Sequence, residues 1–202
     1  MRRTIARAKE DLAMIVARDP SIRTRAEALL HPALPALWTH RLAHVLQNRG
    51  HRQSARTLAY LARAVTGGIE IHPGARLGRR VFIDHGAAVV IGETAEVGDD
   101  VTIFHQVTLG AVGWWRDDRR ETGARRHPVV GNRVVIGTSA IVLGPVTIGD
   151  DALVGAGSLV LTDVPPGARV MARAADVVPQ LSAEDREESA QLLRALATSG
   201  CW

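Results

Sequence analysis

The sequence predicts an α+β chain in three parts. Residues 1–66 read as helical, residues 67–166 as a parallel β-helix, and residues 167–202 as a tail with a short helix. Three observations carry this. Aliphatic residues recur every six positions, glycines follow many of them, and aromatic residues make up only 3% of the chain.

The repeat comes first, because a fixed period decides the architecture. Ile71, Leu77 and Ile83 are six apart. After a slip of two come Ile91, Val97, Ile103 and Leu109, and after a gap Val130, Ile136, Val142, Ile148, Val154 and Val160. A period of six fits neither an amphipathic helix nor a simple alternating strand. It fits a three-sided prism in which each hexapeptide is one short strand plus a corner, and three make one coil. The aliphatic side chain points inward and the small residue after it allows the corner. Stacked Ile, Val and Leu then fill a narrow interior that has no need of aromatic bulk.

Upstream, a first helix is expected to run to about Arg18. Asp19-Pro20 reads as an N-cap followed by proline at the first helical position. Further helices are expected over about Ala36 to Asn48, stopped by Gly50, and about Arg52 to Thr66, stopped by Gly67-Gly68. Such helices would cover one open end of the prism, as solenoids require. Downstream, Pro165-Pro166-Gly167 breaks the pattern. Ser182 with Asp185 resembles a capping box opening a helix to about Thr198.

Composition narrows the function. The formal net charge is +4, yet no Lys/Arg block or basic-aromatic interleaving marks a nucleic-acid binder. An anionic small molecule suits the charge better. No apolar run approaches the roughly 18 residues of a membrane span, and the N-terminus has no apolar signal core. The single cysteine, Cys201, has no partner for a disulfide or a Cys-based metal site. The cytoplasm is the default compartment.

The gap in the repeat, residues 110–129, is a long loop containing Trp114, Trp115 and five arginines. Loops of this length are usually functional. The irregular stretch IDHGAAVV, where the period slips, holds Asp84 and His85, and His127 closes the loop after Arg126. A histidine on a repeat surface usually just caps a corner or faces solvent. Asp19 has its rival role as a helix cap, and Glu70 could be a solvated corner residue.

The combination EIHPGA (70–75), DHG (84–86), GETA (92–95), VTLG (107–110) and RHP (126–128) resembles the serine O-acetyltransferase family. RDPS (18–21) and THRLAHVL (39–46) match that family's helical part, so the resemblance runs from about Arg18 to about Pro166. It implies a left-handed winding and transfer of acetyl from acetyl-CoA to the L-serine hydroxyl. It implies His85 as general base, Glu70 as its carboxylate partner and His127 as a second active-site histidine. Asp19 and Asp84 would face the substrate ammonium, and Arg126 its carboxylate. Gly110, Ala111 and Gly113 would line the acetyl-CoA channel, with Thr138 and Ala156 beside the CoA arm. It implies a homotrimer with sites between subunits, a dimer of trimers being left open, and no metal.

The chain reads GAVG where the family usually reads GGTG, so Ala111 would be strained if that position needs positive φ. The loop after it is longer than usual. The chain ends in Ser-Gly-Cys-Trp in place of a tail with terminal Ile, so the complex that many members form with the sulfhydrylase is not expected. Related acceptors such as homoserine are the nearest alternative. A zinc lyase on the same fold needs a close histidine pair, which His72, His85, His105 and His127 do not supply. A non-catalytic scaffold has no need of Asp84, His85, Arg126 and His127 together.

Overall fold

The computed structural model describes the backbone of residues 2–117, 119–121, 123–176 and 183–198. It divides into two units, residues 1–172 and 173–202.

The first unit opens with four helices: α1 (Arg2–Arg18), α2 (Arg25–Ala28), α3 (Ala33–Asn48) and α4 (Arg52–Val65). α1 and α3 are joined by a buried bidentate pair. Arg41 donates from Nε and Nη2 to the Asp11 carboxylate at 2.7 and 2.6 Å. Gly50, at φ +85, follows the end of α3 in the left-handed conformation that glycine tolerates.

Asp19 is not the N-cap expected from sequence. Its Oδ1 accepts from the Ser21 N–H and hydroxyl at 2.9 and 2.6 Å, a local turn that takes the cap's place. The next helix starts later, at Arg25, where Thr24 and Glu27 form a reciprocal capping box. The following helix starts at Ala33, not Ala36, because the His31 ring accepts the Ala33 N–H and Pro35 falls in the first turn, where no N–H is needed.

Three parallel sheets follow. The first stacks β1 (Glu70–Ile71), β4 (Val90–Ile91), β7 (Thr108–Gly110), β10 (Ile141–Leu143) and β13 (Leu159–Val160). The second stacks β2 (Arg76–Leu77), β5 (Glu96–Val97), β8 (Val129–Val130) and β11 (Thr147–Ile148). The third stacks β3 (Phe82–Ile83), β6 (Thr102–Ile103), β9 (Val135–Ile136), β12 (Leu153–Val154) and β14 (Arg169–Val170). β14 continues the third sheet beyond residue 166, where the sequence reading placed the end of the prism.

Register explains the period. Ile71, Ile91, Leu109, Val142 and Val160 lie opposite one another up the first sheet, and Ile83, Ile103, Ile136, Val154 and Val170 up the third. All thirteen aliphatic positions of the repeat are buried. A second inward position lies two residues before each, filled by Ala75, Val101, Val134, Ala140 and their like. The chain turns each corner just before the second inward position. Arg80, Asp100, Gln106, Arg133, Ser139 and Asp151 take φ of 55–61° there. Gly98 illustrates the tightness: an added Cβ would lie 2.6 Å from the Gly131 carbonyl oxygen of the next coil.

The helical core is continuous with the prism. Met14, Ile15, Leu34 and Leu37 join Ile69, Phe82 and Ile83 of the first coil in one buried cluster. In the loop after β7, residues Trp114–Asp117 form one helical turn, α5. The second unit contains α6 (Ala183–Thr198). Ser182, expected in its cap, lies outside the described residues. Among the described residues no helix is long and apolar enough to cross a membrane.

Candidate active site

The sequence-derived site residues fall on two edges of the prism. The slip in the repeat makes the first. After β3 the chain runs through His85 at φ +57, Gly86 at +66 and Ala88 at +54 before entering β4. Three left-handed residues in four push the corner outward, and a non-glycine left-handed residue is strained. His85 is thereby left with a side chain 76% exposed. Its Nε2 lies 3.8 Å from Asp84 Oδ1, too long for a hydrogen bond but close enough for charge attraction. The His105 ring, one coil on, meets it edge-on at 5.8 Å.

Asp19 joins this edge from the end of α1. Its carboxyl is held below the usual carboxylate range, first by the Ser21 hydroxyl, and feels the charges of His31 and His85. His31, buried against Phe82, stands 3.9 Å from Asp19 and is kept neutral by desolvation to lower pH than a free histidine. Thr138 and Ala156 lie on the same edge further along. Its column runs from Ala87 to Gln106, from His105 to Ser139 and from Thr138 to Gly157 through backbone hydrogen bonds of 2.8–3.0 Å.

The second edge lies between the first and second sheets. Here Thr94, in the corner after β4, organises the residues before β8. Its Oγ1 accepts the Arg126 and His127 N–H groups at 2.9 and 3.1 Å. Its hydroxyl and its own N–H both meet His127 Nδ1, at 2.8 and 3.2 Å. Nδ1 is therefore the acceptor, and neutral His127 carries its proton on Nε2. Burial, followed by the Arg126 charge, lowers the His127 pKa and keeps this tautomer neutral. The ring lies so close over Gly92 that a Cβ there would overlap its Cδ2 and Nε2. Arg126 Nη2 donates to Glu93 Oε2 at 2.6 Å, and its Nη1 lies 3.6 Å from Asp117 Oδ2.

Gly110 closes β7 on this second edge and accepts the Gly144 N–H at 2.9 Å. Ala111 is not among the residues with positive φ, so replacing a glycine there strains nothing. The turn is made instead at Gly113, at φ +155, with the Trp115 ring 2.5 Å from where its Cβ would be. A polar cleft of about 880 Å³ opens beside this edge, with Glu93, Thr94, Asp117 and Arg126 among its walls.

The structure brings Asp19, Asp84 and His85 together, and separately Arg126 and His127. It does not bring the two groups together within one chain. One side of a six-residue corner-to-corner repeat spans roughly 15–20 Å, too far for both to touch one small amino acid. Glu70 also stands apart from its expected partner: among the described residues its Oε2 pairs with Arg63 Nη1 at 3.0 Å and not with His85. Sequence reasoning missed Glu93, Thr94 and Asp117. The GETA motif held the first two, but only the fold shows that they face Arg126 and His127. Among the described residues no group of three His, Cys, Asp or Glu could hold a metal ion.

Residues 127–162 match the family model for the bacterial transferase hexapeptide (six repeats). A serine acetyltransferase of Mycobacterium tuberculosis is 51% identical over 164 residues, 81% of this chain and 68% of that protein. One from Helicobacter pylori is 48% identical over 168 residues, 83% of this chain and 94% of the relative.

The chain belongs to the serine acetyltransferase family.

The crystal structure of the Neisseria gonorrhoeae serine acetyltransferase in complex with serine superposes with a TM-score of 0.77 at 35% identity, over 88% of this chain and 70% of that one. The prism is accordingly the left-handed parallel β-helix of these acyltransferases, with helices before it and a short helix after it. As a member of the family the chain is an acetyl-CoA-dependent acyltransferase.

Proposed function

We propose that this acyltransferase moves the acetyl group of acetyl-CoA to the hydroxyl of L-serine, at sites built between the protomers of a homotrimer in the cytoplasm. The observation that carries the proposal is the separation of the two half-sites onto neighbouring edges of the prism. In a threefold ring, one edge of each protomer faces the other edge of the next, so three such contacts close. The face between the two edges carries outward Ile141 and Leu159, 40% and 59% exposed in the single chain. Apolar side chains side by side on an outer sheet surface mark an interface.

In this site Asp19 and Asp84 of one protomer hold the serine ammonium. Arg126 of the neighbour takes its carboxylate, a natural fork for two oxygens. The His85 imidazole removes the hydroxyl proton as the serine oxygen attacks the thioester carbon, and Glu70 turns from Arg63 to stabilise the imidazolium. His127 presents Nε2–H to the reacting oxygens, and the Ala111 N–H stabilises the oxyanion. Gly110 and Gly113 line the thioester arm, with Thr138 and Ala156 beside the CoA chain on the first edge. Collapse of the tetrahedral intermediate breaks the C–S bond, and the His85 imidazolium returns its proton to the leaving thiolate, so that CoA and O-acetylserine are released.

The test is CoA release from acetyl-CoA with L-serine, D-serine, L-homoserine and L-threonine. Rapid release with L-serine is expected. A preference for another acceptor, or silence across the panel, would overturn the assignment.

A further inference from the structure

Arg126 is not waiting empty for a substrate. Its guanidinium faces two carboxylates, Glu93 at 2.6 Å and Asp117 at 3.6 Å. The two differ in origin. Glu93 belongs to the corner of the prism, next to Thr94, which itself binds the Arg126 backbone. Asp117 belongs to the long loop and closes the single turn of α5, its N–H bonded to the Gly113 carbonyl at 3.1 Å. Its side chain is only 9% exposed. Its Oδ1 lies 3.3 Å from Arg120 Nε yet has no hydrogen bond among the described residues. A buried carboxylate with one oxygen unsatisfied is poorly settled, since burying such a group without full hydrogen bonding is unfavourable. It is held by charge, and another carboxylate could take its place.

We propose that Asp117 is an internal stand-in for the acceptor's carboxylate, a gate on the loop that an incoming amino acid must displace from Arg126. Glu93 holds the guanidinium in position throughout, and Asp117 competes for its outer face. Displacement moves α5, and with it Trp115, which packs over Gly113. The gate raises the concentration of amino acid needed to fill the site and acts only on acceptors with a carboxylate. This rests on the reading of Arg126 as the carboxylate clamp.

The test compares Asp117→Asn with wild type on L-serine and on L-serinamide, which keeps the ammonium and hydroxyl but lacks the carboxylate. Loss of the competing charge is expected to lower the L-serine KM roughly two- to fivefold, the range for an ion pair with one partly exposed partner. The kcat and the L-serinamide kinetics should stay unchanged. Titrating wild type with L-serine should change tryptophan fluorescence, and Trp115→Phe should abolish the change. An L-serine KM that is unchanged or raised in Asp117→Asn would overturn the gate, as would equal gains on both acceptors. Arg126→Ala separates the two claims. If it raises the L-serine KM while Asp117→Asn has no effect, the clamp stands and the gate falls. If it leaves the L-serine KM unchanged, the clamp falls with it.

Discussion

On the first edge His85 is exposed, sits on a strained corner and, among the described residues, has no hydrogen bond to fix its ring. On the second edge His127 is buried, its tautomer set by two contacts from Thr94 and its ring seated on Gly92. The difference matches what the proposed mechanism asks of each. A base has to take up a proton and release it, so an open imidazole with a carboxylate nearby suits His85. A donor has to stay neutral with its N–H in one direction, so burial and a fixed tautomer suit His127. On the proposed trimer, each chain would finish one half of the site and take the other half from its neighbour.

The contrast can be broken from either side. The largest effect is expected at the open edge, where His85→Ala should lower turnover by about two orders of magnitude or more, as removal of a general base does. Steady-state kcat at saturating serine checks this, and near-normal turnover would remove His85 from the mechanism. At the closed edge, Gly92→Ala forces a Cβ into the His127 ring. Overpacking of this kind costs about 1–3 kcal/mol. Thermal unfolding should show that loss together with reduced kcat, and a normal kcat would mean that His127 need not hold its position.

Thr94→Val keeps the shape but deprives the Arg126 and His127 N–H groups of their acceptor, a loss of about 1–3 kcal/mol for buried donors. Its effect should fall on stability and kcat together, and a Thr94→Ser variant should restore both.

A further effect is in pH dependence. Burial holds His40 down at about 3 and His72 down at about 4, and lowers His127 as well. In the unfolded chain these rings take up protons below about 6.5, whereas the folded protein resists. Stability should therefore be full above that pH and be lost as pH falls toward 4 and then 3. A melting temperature that stays level from pH 7 to pH 4 would contradict it.

Much of the fold was legible because the interior is a one-dimensional stack. Each inward aliphatic repeats the environment of the one a coil below, so the period survives in the sequence. The corners are less legible. Arg80, Asp100 and Arg133 adopt a backbone usually reserved for glycine because coil stacking imposes it, and their side chains give no sign of it. Asp19 was misread as a cap because Asp-Pro looks the same whether it opens a helix or a local turn. His85, Arg126 and His127 could be recognised from motifs. Their separation could have been found by counting faces: His85 follows a strand of the third sheet, and His127 precedes one of the second. The Arg126–Asp117 contact had no signal, because it depends on how an irregular loop folds back.

The most direct test of a site shared between protomers is complementation. His85→Ala and His127→Ala chains are each expected to be nearly inactive alone. Co-expressed in equal amounts, they should assemble at random, and a site is intact when His85 comes from one variant and His127 from the other. That holds for about one quarter of sites in a threefold ring, so about one quarter of wild-type turnover should return. No recovery in trimers shown to contain both chains would place the whole site within one protomer and contradict the account.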